Sequence, residues 1–201
     1  FSNLYVIFSQ KKIKLIMIIL GIIVVVLLLI GIGMYNSLIG KKNQVTNAFS
    51  SIDVMLKKRF DLIPNLVEVV KQYTQYEGDT LTKITELRGK AMGSNVSEAD
   101  KLALDQQMGT AVKGLMLSVE NYPDLKANTN FLNLQSTWTE SEEQIAAARR
   151  NYNATVTTYN NAVMMFPGSI FAGMLGYQTM AVLESTIEER KNISAKELFN
   201  N

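Results

Sequence analysis

Neither cysteine nor histidine occurs among the 201 residues, and proline occurs three times, at Pro64, Pro123 and Pro167. Without cysteine the chain can build no disulfide framework and no thiolate zinc site. Without histidine it also lacks the commonest general base, the usual activator of a nucleophile and the commonest nitrogen ligand, which excludes most hydrolase chemistry. Glu140 and Glu143 have the spacing of a di-iron carboxylate pair, but the histidine of a Glu-x-x-His motif is missing, so both read as solvated carboxylates. No Walker loop or dinucleotide fingerprint is present; Gly31 and Gly33 fall inside an apolar run. No catalytic, cofactor-binding or metal-binding residue is therefore expected, and the chain reads as a non-enzyme.

Acidic residues are missing from the first 52 positions, where the basic residues before Met34 are Lys11, Lys12 and Lys14. The rest carries 17 basic against 18 acidic residues, so it is nearly neutral. Phosphate neutralisation needs a concentrated basic face, and the densest run is the trio Lys57, Lys58 and Arg59, read here as a solvated helix face. Nucleic acid is not expected as a partner. Strand signals are also missing, because no segment alternates apolar and polar residues over a strand's length.

What is abundant is apolar helix-forming sequence. Leu15 to Met34 (LIMIILGIIVVVLLLIGIGM) has no charge and matches the length needed to cross a hydrocarbon core. A cleaved signal peptide would have a shorter apolar region followed by small residues at a cleavage site. The organisation read from this is a flank over 1–14, a transmembrane helix over 15–34 and a helical domain over 35–201.

Beyond the anchor, Val45, Phe49, Ile52, Leu56, Ile63, Leu66, Val70 and Tyr73 recur in steps of three and four, with Arg59 in the one polar slot. Pro64 predicts a kink or restart near 61–64. Helices are predicted over 79–92 and 98–121, the second started by the capping pair Ser97 and Asp100. A long helix is predicted over 124–165, with Phe131, Leu134, Trp138, Ile145, Ala148, Tyr152, Tyr159, Ala162 and Phe166 on one seam. A last one is predicted over 178–199, with Met180, Leu183 and Ile187 inward and Glu188 to Lys191 in water. Such long, narrow stripes pack along one another, so the fold class is all-α: a single N-terminal transmembrane helix followed by an antiparallel bundle of long helices. Within it, Asp53 could pair with Lys57 and Lys58 with Asp61 at helical spacing.

Two features stand out as candidate sites. Tyr152-Asn153 and Tyr159-Asn160 repeat at seven residues, two helical turns, which sets both pairs on one side of the long helix. As a polar core layer, Tyr152, Asn153, Tyr159 and Asn160 would fix helix register; as a groove they would bind a small ligand. The segment Phe166 to Tyr177 (FPGSIFAGMLGY) breaks the long helix with Pro167, Gly168, Gly173 and Gly176, yet is strongly apolar. Phe166, Ile170, Phe171, Met174, Leu175 and Tyr177 need cover from the bundle end, from lipid or from another chain, and are the candidate partner contact.

The residues also carry a resemblance. Met34-Tyr35-Asn36, the stretch Ala48 to Leu66 ending in RFDLIPNL, Tyr122-Pro123-Asp124-Leu125-Lys126-Ala127, Phe131 to Gln135, and Arg149-Arg150-Asn151-Tyr152-Asn153 on to Tyr159-Asn160 and Phe166-Pro167-Gly168 resemble the LemA family of bacterial membrane proteins. After Tyr177 the chain departs from the aromatic, proline-containing ending common in that family. The resemblance implies a single-pass anchor with a helical bundle and no established activity or cofactor. It suggests a scaffold or adaptor of the bacterial cell envelope. The anchor makes membrane lipid a partner, and the apolar segment 166–177 leads to the expectation of a homo-oligomer or of contact with other envelope membrane proteins. A small-ligand-binding sensor using the Tyr/Asn layer is the alternative. Localisation is expected at the inner (cytoplasmic) membrane. The three lysines before the anchor against Lys41 and Lys42 after it favour the bundle on the extracytoplasmic side.

Overall fold

In a computed structural model of the chain, residues 2–74 and 76–183 are described, those at 2–13 by backbone alone. The elements are α1 (Ser2–Lys71), α2 (Gly78–Ala91), α3 (Glu98–Ser118) with a 3-10 turn at Val119–Asn121, α4 (Pro123–Lys126), α5 (Thr129–Met164) and α6 (Gly168–Leu175). No strand occurs among the described residues. The fold is all-α, an apolar N-terminal helix followed by packed helices, as the periodicity predicts.

Local chemistry sets most boundaries. The Ser97 hydroxyl accepts from the Asp100 N–H at 3.1 Å and donates to the Asp100 carboxylate, so α3 starts where the capping pair predicts. Arg88 and Lys90 occupy the last turn of α2, where they oppose the helix dipole. Of the kink or restart expected at Pro64 the restart does not occur, and one further boundary is corrected. α1 runs through Pro64 without a restart; Ile63, Leu66 and Val70 around it are buried to 2% exposure or less, and that packing outweighs the single lost backbone bond. The helix predicted from 124 breaks at Ala127 and Asn128 instead. There the Asn128 side-chain oxygen accepts from the Phe131 N–H at 3.1 Å and begins α5 afresh.

By their contacts the residues form two compact units. The first combines Phe1–Asn47 with Tyr152–Asn201, and the second is Ala48–Asn151. The core of the second is made by Ile52, Leu56, Ile63, Leu66 and Val70 of α1 with Ile84, Met108, Val112, Leu115, Leu125 and Phe131. Phe60 is also buried, although it lies off the seam drawn from the sequence. The core of the first unit is smaller: Leu38, Val45, Val156, Tyr159, Val163 and Ala172.

Candidate functional site

Four polar residues of α5 organise the first unit. Tyr159 is buried to 1% exposure, and its hydroxyl donates to the Gln178 carbonyl at 2.9 Å. Loss of water around the phenol, with a smaller contribution from Tyr177, raises its pKa above 10.0, so it stays a neutral donor. Asn160 accepts from the Met180 N–H and donates to the Met180 carbonyl, both at 2.8 Å. Asn153 makes the same two bonds to Leu183, again at 2.8 Å. Tyr152 packs half-buried against the same core.

The spacing explains the clamp. Seven residues of α-helix rise about 10.5 Å. Three residues of extended chain advance about 10 Å. Asparagines seven apart on α5 therefore meet backbone groups three apart on a chain running antiparallel to it. The helix expected over 178–199 is thus corrected for 178–183, which forms no helix. Gly176, at φ 72°, turns the chain out of α6, and the asparagines supply hydrogen bonds that a helix would otherwise make internally. The rest of that expectation, including Ile187 and Glu188 to Lys191, lies outside the described residues.

The segment expected to be an irregular break at 166–177 contains a helix, α6. Its residues divide. Ala172 is buried, and Phe171 and Tyr177 pack partly against the core, whereas Phe166, Ile170, Met174 and Leu175 are exposed. Phe166, expected on the buried seam of α5, is 81% exposed; the seam shifts to Val156 and Val163. Gly168 is required by close approach, because a β-carbon there would lie 2.1 Å from the Ala162 carbonyl oxygen. An open cleft of about 640 Å³ beside this turn is lined by Met34, Leu38, Lys41, Asn161, Phe166 and Pro167, among others.

The second unit buries charge. Arg59, expected on a solvated face with Lys57 and Lys58, is 5% exposed; only the two lysines face water. Its slot at helical spacing between Leu56 and Ile63 was the signal for this. Its guanidinium lies 3.2 Å from Asp105 and 2.7 Å from Glu142, and 4.1 Å from the centroid of the Trp138 ring. The Trp138 indole donates to the same Glu142 oxygen at 3.2 Å. Gly109 opens the space, since a β-carbon there would sit 3.2 Å from the guanidinium. Burial raises the Asp105 pKa; Arg59 and then Arg149 oppose that, and Glu142 adds to it. The Arg59 Nε has no hydrogen-bond partner.

The other ion pairs expected along α1 form differently. Asp53 meets Lys101 at 2.6 Å and Asp61 meets Arg88 at 3.8 Å, because neighbouring helices bring these cations close. A groove of about 470 Å³ in this unit is lined by Asn65, Glu68, Gln72, Asn128, Asn133 and Thr137, among others. Among the described residues no carboxylate cluster could hold a metal ion.

An uncharged helical stretch of membrane-spanning length, exposed throughout residues 15–30, joined to a helical body with polar groups internally paired, defines a membrane-associated all-helical protein. A family model described as the LemA family matches residues 48–196, and the chain belongs to that family. It is 29% identical over 169 residues to Protein LemA of Metamycoplasma hominis, covering 84% of this chain and 77% of that protein. It is also similar to Magnetosome protein MamQ 2 of Paramagnetospirillum magneticum (24% identical). Magnetosome protein MamQ of Magnetospirillum gryphiswaldense is 22% identical. Each of these two matches covers 72% of this chain and 62% of the relative's length.

Proposed function

We propose that the chain is a non-enzymatic scaffold or adaptor of the bacterial cell envelope, held at the cytoplasmic membrane by α1 and acting through protein contacts of its helical body. One observation carries this reading: the polar residues that stand out in the helices are directed onto the chain itself. Arg59 is paired with two carboxylates, and Asn153, Asn160 and Tyr159 bind the backbone of 178–183. Groups so engaged hold packing in register and are not free to turn over a substrate. The lysines flanking the anchor, three before it against two after it, favour the helical body on the extracytoplasmic side. Protease added to cells with a permeabilised outer layer then digests the body; full protection reverses the orientation.

A second reading, a small-ligand sensor, draws support from the carboxamide-lined groove of the second unit rather than from the Tyr/Asn layer, whose amides are engaged. Crosslinking in intact membranes, followed by mass-spectrometric identification, separates the two. Discrete protein adducts are expected of a scaffold. A chain that crosslinks to no protein, but purifies with a small molecule lost on Asn133→Leu, is a sensor instead.

A further inference from the structure

We propose that α6 is a second membrane-contacting element, an interfacial helix whose exposed residues Ile170 and Met174, with Phe166 in the turn before it, rest in the bilayer boundary beside the anchor. The level of α6 along α1 is the first argument. From Lys14 to Ile30 every side chain of α1 is exposed, and the first shielded positions are Gly31 and Met34. Phe171 of α6 reaches the former: a β-carbon on Gly31 would lie 3.3 Å from the Phe171 ring. Met34 lies against Gly168, its methyl 3.7 Å from where a β-carbon would stand.

Gly31 precedes Met34, where the continuous apolar stretch gives way to Tyr35, Asn36 and Ser37, by three residues, which is about 4.5 Å of helix rise. The Phe171 ring therefore reaches into the thickness that the anchor assigns to hydrocarbon, at the depth typical of interfacial helices.

The exposed chemistry of α6 agrees. Ile170 and Met174, one turn apart on α6, are 54% and 79% exposed, Phe166 in the preceding turn is 81% exposed, and Leu175 is 47% exposed. No charged residue lies between Arg150 and Glu184, so nothing in α6 opposes insertion. On the far side of the boundary Tyr177 carries the Lys42 ammonium 5.7 Å from its ring centroid, a tyrosine and a lysine of the kind that settle at headgroup level. On sequence alone the same stripe is a candidate protein contact; its level beside Gly31 favours lipid.

The natural lack of cysteine makes the test direct. Single cysteines are introduced as Met174→Cys, Ile170→Cys, Ile22→Cys and Leu117→Cys in the full chain, spin-labelled, and reconstituted in phosphatidylcholine–phosphatidylglycerol vesicles. Ile22 marks the span, and Leu117, 69% exposed in the second unit, marks water. Collisions with oxygen and with a water-soluble nickel chelate are then compared. The proposal expects an oxygen-to-nickel ratio at 174 and 170 several-fold above that at 117 and approaching that at 22. A ratio equal to that at 117, with 22 still shielded, overturns it while leaving the anchor intact. Low collision with both reagents and dipolar broadening at 174 overturns it in favour of a contact between copies, and a wet label at 22 overturns the anchor with it.

Discussion

The two units solve the same problem, a polar residue inside a helix seam, in opposite ways. In the second unit Arg59 enters the core as an ion and needs Asp105, Glu142 and the Trp138 face around it. In the first, Tyr159, Asn153 and Asn160 enter as neutral groups and bind a non-helical stretch of backbone. Charge removed from water is stabilised only while every partner stays in place, so the second unit should be brittle towards single substitutions. Neutral bonds to backbone are each worth less, so their loss should free one segment and leave the rest. The contrast teaches that a polar residue in a helical seam is not one signal: an arginine there marks a charge network, and an asparagine repeated at seven marks a docking strip.

Breaking the charge network gives the largest expected effect. Arg59→Met leaves Asp105 buried without its principal counter-ion and should cost about 3–5 kcal/mol. Adding Asp105→Leu should recover most of the loss, because an apolar pair needs no solvation. Urea unfolding followed by the single tryptophan, Trp138, reads both. If the double variant is no more stable than the single, the ion pair contributes more than its desolvation costs.

Next in size is the clamp. Asn160→Ala removes both bonds to Met180 and should cost about 1–3 kcal/mol, confined to the clamped segment. Hydrogen exchange should then show the Met180 and Leu183 amides opening faster, with Trp138 fluorescence unchanged. A loss of signal at Trp138 would show that the two units are not energetically separate.

A pH dependence sharpens the contrast further. The folded pKa of Asp105 is raised above its ordinary 3.8, so the native state holds a proton that the unfolded chain releases. Its contribution to stability is greatest below 3.8, declines as pH rises through the raised folded value, and is level above it. The difference in unfolding free energy between wild type and Asp105→Asn, measured across that window, should carry this downward slope. A flat difference would mean that Arg59 offsets the burial fully. The smallest effect is expected at the rim, where Lys101→Ala removes the half-exposed pair with Asp53 and should change stability by less than about 1 kcal/mol.

Much of the fold is legible in the sequence because it rests on period. Ile52, Leu56, Ile63, Leu66 and Val70 are buried where steps of three and four place them, and Ser97 caps α3 where its spacing from Asp100 requires. What resists reading is tertiary. The break at Asn128 depends on one side chain turning to cap rather than continue a helix. The non-helical strip at 178–183 has helix-compatible residues and is held by asparagines some twenty to thirty positions earlier. The clamp residues themselves are visible as a repeat, but the identity of what they clamp is not, since backbone groups leave no mark in a sequence. Arg59 occupies a core slot in plain view, yet its two lysine neighbours suggest a solvated face.

If α6 of the first unit meets lipid, the protein contacts proposed for the helical body fall to the helices of the second. A photo-crosslinking residue placed in intact membranes at Met174 or at Leu117, both exposed, tests that division directly. Lipid adducts from 174 and discrete protein adducts from 117 are predicted. Protein adducts from 174 with none from 117 would contradict it.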